Sequence, residues 1–161
     1  MAIPSLVAAV FASATALAGA PTGLEGVWLY QGEVDTDATG RIVHLPGPTY
    51  EGMLIYTADG YVSATLMPTG RTWTVERASL AELRGSISGS STAYAGRYQV
   101  DAKARTVTHQ PRVSLDPADA NQRLVRTYTL DGDTLVLSGP FEVDGQHLRF
   151  TVRWMRVPSS R

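Results

Sequence analysis

From residue 26 onward, apolar and polar side chains alternate in a series of short runs, a pattern typical of half-buried β-strands. The alternation predicts eight strands, near residues 26–33, 50–57, 60–67, 94–101, 105–113, 123–130, 133–138 and 147–157. The connections between most of them are short, and Asp59-Gly60 is a strong signal for a tight hairpin turn. Short connections favour an antiparallel meander, and eight such strands can close into an up-and-down barrel. A two-sheet sandwich is the alternative, although its long Greek-key connections are hard to place in this sequence.

One stretch with helical periodicity interrupts the strands. Residues 74–88 place Leu80, Leu83 and Ile87 on one face, and Ser79 and Glu82 have the spacing of a capping box. The sequence therefore predicts one helix between the third and fourth strands. The fold class that follows is all-β: an eight-stranded antiparallel barrel with one inserted helix and a possible further helix at the N-terminus.

The N-terminal segment has a different character from the rest. Residues 1–24 carry no charged side chain, and residues 6–17 form a run of small and apolar residues. Small residues suit cleavage of a secretory signal after residue 18 or 20, but no Lys or Arg precedes the apolar run. A retained helix is the alternative, because the same residues also have helical spacing. Residues 1–22 are thus a signal or a helix, and residues 23–161 are the barrel domain. The protein is expected to be secreted in the first case and cytoplasmic in the second.

Composition and charge narrow the functional classes. The chain has 161 residues, a net charge of −1 and no cysteine. This length suits one domain, the balanced charge favours no nucleic-acid partner, and thiolate chemistry is excluded. The N-terminal run is too short and too rich in alanine to predict an integral membrane span. The three histidines are dispersed without metal-ligand spacing, and no nucleotide-binding glycine loop or GxSxG motif occurs. No metal and no cofactor are expected.

Two charged or titratable residues fall on apolar faces of predicted strands. In residues 105–113, His109 shares a face with Val107 and Val113, whereas the other face is polar. In residues 123–130, Arg126 shares a face with Leu124, Tyr128 and Leu130. Sequential strands are expected to pair, so His109 and Arg126 are predicted to be cross-strand neighbours inside the barrel. On the preceding strand, Tyr94 and Tyr98 face the same interior.

The motifs along the chain resemble a known family, the microbial and fungal lipocalin-like domain family of calycin-type barrels. Gly26 to Trp28 is similar to its opening Gly-x-Trp, and Gly52 to Tyr61 is similar to its Gly-x-Leu-Ile-Tyr hairpin. Further matching motifs are Ala93 to Tyr98, Val107 to His109, Arg126 to Tyr128, Gly132 to Leu135 and Trp154 to Arg156. The resemblance covers residues 24–157. It implies a barrel with an interior site for a hydrophobic small molecule, and it implies that an arginine of the last strand, Arg156 or otherwise Arg153, covers Trp28 and closes the barrel floor.

The candidate site follows from these residues. A buried guanidinium needs acceptors or a ligand anion, so Arg126 is expected to bind a carbonyl, enolate or carboxylate, with His109 as general acid or base. Tyr98 and Tyr128 would orient the ligand. Further candidate contacts are Tyr94, Tyr56, Arg71 and Trp73. His44 in a loop and His147 at a strand start rank lower.

Two functional classes stay open at this point. One is a cofactor-free cyclase, isomerase or dehydratase acting on a polyketide- or terpenoid-like molecule, and the other is a non-catalytic carrier of such a molecule. A purely structural polar network around His109 and Arg126 is a third explanation of the same residues. The protein is expected to act as a monomer or homodimer.

Overall fold

The computed structural model describes residues 22–43, 49–70 and 91–159. These residues form nine antiparallel strands in one sheet, ordered β2-β1-β3-β4-β5-β6-β7-β8-β9. The first strand also pairs with the last over eight register positions from Trp28–Arg156 to Thr36–Arg149, which closes eight of the strands into a barrel. The strands are β1 (Gly26–Thr36), β2 (Ile42–Val43), β3 (Tyr50–Tyr56), β4 (Tyr61–Pro68), β5 (Thr92–Asp101), β6 (Thr106–Ser114), β7 (Leu124–Asp131), β8 (Thr134–Val143) and β9 (Gln146–Arg156).

The structure differs from the predicted fold class in its secondary-structure elements. A ninth strand, β2, extends the end of β1 through the pairs Asp35–Val43 and Thr36–Ile42. The described ranges contain no α-helix, only a short 3₁₀ turn at Pro117–Asp119. The predicted helix at residues 74–88 and the possible N-terminal helix lie outside the described residues. Within those residues, no helix is long and apolar enough to cross a membrane.

Tight turns make the meander possible. Thr57 and Gly60 close the β3–β4 hairpin through backbone hydrogen bonds, and Gly60 has a φ of 86°. A tighter turn joins β8 to β9, where Asp144 and Gly145 have φ values of 50° and 72°. Two successive positive φ angles are typical of the turns that match the twist of paired strands. Because this turn is so short, β8 continues to Val143, well beyond the predicted end at residue 138.

One end of the barrel is closed by an aromatic–arginine floor. The Trp28 indole is fully buried and donates from Nε1 to the carbonyl oxygen of Leu24 at 2.8 Å. The guanidinium of Arg156 lies over the Trp28 ring at 4.0 Å from its centroid. The same guanidinium donates to the carbonyl oxygens of Glu25 at 2.6 Å and Gly23 at 2.7 Å. The chain entering β1 is thereby tied across the barrel end. Arg153, the other candidate for this position, is exposed on the outer face.

An irregularity in β6 overturns one predicted side-chain orientation. Ala95 pairs with Val113 and Gly96 pairs with Pro111, so Arg112 is an extra residue in β6. A bulge of this kind reverses the alternation beyond it. Val113 is therefore 63% exposed, whereas Val107, His109 and Pro111 are buried. The prediction that Val113 shares the interior face with His109 is wrong.

Candidate functional site

A mainly apolar cavity of about 140 Å³ occupies the half of the barrel away from the Trp28 floor. Its lining comes from β1, β3, β4, β5, β7, β8 and β9, so every strand of the closed barrel except β6 contributes. The polar groups in the lining include Glu33, Tyr94 and Arg126. The apolar lining residues are Leu54, Ala64, Leu66, Leu137, Phe150, Val152 and Trp154.

Arg126 brings a positive charge to the cavity wall. Its Nη1 donates to the carbonyl oxygen of Leu124 at 3.0 Å, and its guanidinium carbon lies 5.6 Å from the Phe150 ring centroid and 5.8 Å from that of Tyr94. No carboxylate among the described residues lies within ion-pairing distance of it. A guanidinium has five N–H donors, and this single protein acceptor engages one of them. The aromatic faces hold the side chain in place while its other donors have no acceptor within the described part of the chain.

His109 has a different environment, inside the wall. It is completely buried and sits between two phenols, with Nε2 2.6 Å from the Tyr56 hydroxyl and Nδ1 2.7 Å from the Tyr94 hydroxyl. Burial, with a further contribution from the charge of Arg126, lowers the pKa of His109 well below its usual value. His109 is therefore neutral, and both ring nitrogens already have partners. Only Tyr94 of this chain of three residues lines the cavity.

The cross-strand register separates His109 from Arg126. His109 pairs with Leu124, and Arg126 pairs with Val107, so the two are diagonal rather than direct neighbours. The charge of Arg126 acts on the imidazole, but no hydrogen bond joins them.

Two carboxyl groups of β1 complete the polar side of the barrel. Gln31 is an extra residue between the pairs Tyr30–Trp154 and Gly32–Arg153. Beyond this bulge, Glu33 pairs with the buried Val152 and faces the cavity that both residues line. Burial and the neighbouring Asp35 raise the pKa of Glu33 to about 7. Burial likewise raises the pKa of Asp35, whose Oδ1 is buried without a hydrogen-bond partner among the described residues.

The alternation does not predict that Glu33, at the end of the predicted strand 26–33, lines the cavity, because a bulge cannot be seen in the pattern of one strand. One available signal was Gln31-Gly32 within a strand pattern, since an isolated glycine there is typical of a bulge. Gly32 has a φ of 142°, a conformation that favours glycine.

The other predicted site residues are dispersed over the barrel. Tyr56 is buried against the Tyr98 ring at 4.7 Å, and the Tyr98 hydroxyl donates to the Thr57 carbonyl oxygen at the floor end. Tyr128 packs against the core without lining the cavity. His147 is exposed and lies 3.4 Å from a carboxylate oxygen of Glu142. Arg71, Trp73 and His44 lie outside the described residues.

Comparison with protein families shows which family the barrel belongs to. A family model described as a lipocalin-like domain matches residues 25–157, which is the whole barrel. The chain belongs to the lipocalin-like domain family. Neither a curated protein nor a solved structure matches it in comparable searches. A lipocalin-like barrel suits the binding of a small hydrophobic molecule, and in this one the apolar cavity offers the space.

Metal binding has no support from the described side chains. In residues 22–43, 49–70 and 91–159, no group of three or more His, Asp or Glu residues is placed to hold a metal ion.

Proposed function

We propose that this lipocalin-like barrel binds a small, mainly apolar molecule that carries an oxygen acceptor, and that the acceptor lies against Arg126. The observation that carries the proposal is the guanidinium of Arg126 in the wall of an apolar cavity, with one described protein acceptor for its five donors. A cation held in a poorly hydrated space attracts a carboxylate, enolate or carbonyl oxygen more strongly than it would in water. Apolar contacts would supply affinity and Arg126 would supply orientation.

The size of the cavity limits what can enter. About 140 Å³ is close to the roughly 150 Å³ of an apolar protein cavity that accepts benzene. One six-membered ring therefore fits inside, and a larger polyketide- or terpenoid-like molecule would have to extend beyond the described cavity. Ala64 lines the cavity opposite Tyr94 in the β4–β5 register, so a larger side chain there would occupy the space of the ring.

Binding of benzoate and toluene tests this function. We expect benzoate to bind more tightly than toluene by calorimetry or by ligand-detected NMR, because only benzoate offers oxygens to Arg126. Arg126→Gln should remove this preference while toluene binding persists, and Ala64→Leu should weaken both ligands. Arg153→Gln, which removes an exposed arginine of the outer face, is the matched control and should change neither. Equal affinities of the unmodified protein for both ligands, or no binding of either, would reject the proposal.

Catalysis is the second candidate, and Glu33 is the observation that favours it. Its carboxyl group lines the same cavity as Arg126 and has a pKa raised to about 7, where a group can both take and return a proton. A cofactor-free isomerase, cyclase or dehydratase often begins by removing a proton from a carbon next to a carbonyl. Here the Glu33 carboxylate would take that proton, the electron pair of the C–H bond would form the carbon–carbon double bond, and the π pair of the carbonyl group would move onto its oxygen, where Arg126 would stabilise the enolate. Glu33 replaces His109 as the acid–base group because the imidazole does not line the cavity.

Exchange of α-protons measures this step directly. With cyclohexanone in D₂O, we expect the protein to accelerate deuterium incorporation above the buffer rate, and Glu33→Gln to return the rate to that of buffer. The profile of rate against pH should rise near pH 7, at the pKa of Glu33. If the protein binds benzoate but exchange is no faster than in buffer, the enzymatic function is rejected and the carrier function stands.

A further inference from the structure

The hydrogen bonds around His109 fix which tyrosine has a free proton. A neutral imidazole has one N–H donor and one acceptor nitrogen, so one of its two phenol partners must donate to it and the other must accept from it. The partner that donates uses its own hydroxyl proton for the imidazole. The partner that accepts keeps its proton for another acceptor.

The burial of the Tyr56 hydroxyl group distinguishes the two tautomers of His109. Tyr56 is 2% exposed, and its hydroxyl has His109 Nε2 as its one hydrogen-bond partner among the described residues. If Nε2 carried the proton, the Tyr56 hydroxyl proton would be buried without an acceptor there, which is unfavourable. If Tyr56 donates to Nε2, its proton is satisfied, and Nδ1–H donates to the oxygen of Tyr94. The Tyr94 hydroxyl proton is then left over, and Tyr94 lines the cavity.

We infer that His109 is held as the Nδ1–H tautomer and that Tyr94 consequently presents its hydroxyl proton to the cavity as a second donor beside Arg126. This inference rests on the proposed function, since it names a further group that recognises the same ligand oxygen. Two donors narrow the class of ligand. A negatively charged oxygen, such as that of a carboxylate or an enolate, accepts two hydrogen bonds more strongly than the oxygen of a neutral ether or alcohol does. His109 is a positioning residue that acts through Tyr94.

A nearby carboxyl group, that of Asp119, also influences the Tyr94 phenol. The charge of Asp119 acts on Tyr94, although no hydrogen bond joins the two side chains. If Asp119 rather than the ligand received the proton, Asp119→Asn would alter the environment of Tyr94 in the unliganded protein and the contribution of Tyr94 to binding would be small.

The tautomer is measured without any ligand. Long-range ¹⁵N–¹H correlation spectra of histidine-labelled protein distinguish a protonated ring nitrogen from an unprotonated one, and we expect Nδ1 to be protonated and Nε2 unprotonated near neutral pH. A protonated Nε2 would overturn the inference. Because this measurement uses the protein alone, it stands even if benzoate fails to bind and the proposed function is lost.

The contribution of the Tyr94 hydroxyl group is measured by ligand affinity. We expect Tyr94→Phe to weaken benzoate roughly tenfold, the effect of one hydrogen bond to a charged group, while the affinity for toluene stays the same. Tyr61→Phe, at an exposed tyrosine beneath Arg97 on the outer face, is the control and should leave both affinities unchanged. Unchanged benzoate affinity in a folded Tyr94→Phe protein would also overturn the inference. Loss of toluene binding in that variant would show that the ring, and not the hydroxyl, is what matters, with the same consequence.

Discussion

Arg156 covers the buried face of Trp28, with its guanidinium carbon 4.0 Å from the ring centroid. The arginine is near the end of the last strand and the tryptophan is near the start of the first, so their contact locks the two strands that close the barrel. Its remaining donors hold two backbone carbonyl groups of the entering chain and approach Asp133 at 3.3 Å. The floor is therefore a structural device that ties both ends of the domain together.

Removing this guanidinium should lower stability considerably. Arg156→Gln loses the cation–π contact and the hydrogen bonds to Gly23 and Glu25, so we expect unfolding to become about 2–4 kcal/mol more favourable. Urea denaturation followed by tryptophan fluorescence measures the change. Arg153→Gln, which removes an exposed arginine of the outer face three residues earlier in β9, should cost less than about 0.5 kcal/mol. Equal effects of the two substitutions would contradict the structural role.

Acid should destabilise the protein through His109. Burial keeps the folded-state pKa of this imidazole well below its usual value of about 6.5, so below that pH the unfolded chain binds a proton that the folded protein does not. Stability is then fully present above pH 6.5 and falls as the pH decreases, by up to about 1.4 kcal/mol per pH unit. His109→Gln should reduce stability at neutral pH but flatten this dependence, whereas His147→Gln at an exposed position should retain it. An unaltered slope in His109→Gln would rule out the imidazole as its source.

Glu33 should give stability a pH dependence of the opposite sign to that from His109. Its pKa is raised to about 7 in the folded protein, so the folded state binds the proton more tightly than the unfolded chain does. This contribution is fully present below about pH 4.3, the ordinary value for a glutamate, and is lost as the pH rises through 7. Glu33→Gln should therefore be more stable than the unmodified protein at pH 8 and similar to it at pH 4. Denaturation series of the two proteins at both pH values give the comparison, and Glu51→Gln, at an exposed residue of β3, should show no such crossover.

Gly96 should not tolerate a methyl group. A Cβ at this position would overlap the backbone carbonyl oxygen of Gln110 and lie 2.8 Å from the amide nitrogen of Arg112, because the β6 bulge brings the two backbones together. Backbone atoms cannot yield as a flexible side chain can, so we expect Gly96→Ala to cost more than about 2 kcal/mol or to prevent folding. Its neighbour provides the control, since Ala95→Gly creates no overlap and should cost about 1 kcal/mol or less. Thermal unfolding of both variants checks the order.

Period-two alternation was sufficient to place most of the barrel wall. It located the eight strands that close the barrel and put His109 and Tyr94 in the interior, because strands buried on one face leave an unambiguous pattern. It failed where one residue was inserted, at Gln31 and Arg112, since a bulge shifts the parity of all later residues in the strand. The alternation therefore places Val113 inside, and it does not place Glu33, the last residue of the predicted strand 26–33, at the cavity.

Other features needed information from partner strands. The two residues of β2 are too few to show a period, and they form a strand only because Asp35 and Thr36 are available beside them. The diagonal placement of His109 and Arg126 depends on the register of β6 against β7, which alternation within either strand does not determine. The pairing of His109 with two phenols likewise joins three strands, β3, β5 and β6.

The single extra residue at Gln31 also suggests how the interior of such a barrel can change during evolution. Deleting it would reverse the orientation of the residues that follow in β1, so that Val34 would face the cavity in place of Glu33, and an aliphatic side chain would replace a carboxyl group in the lining without any substitution. Insertions and deletions in strands are usually regarded as damaging events. In a closed meander whose far end is locked by Trp28 and Arg156, such a deletion would change the charge of the cavity lining in one step.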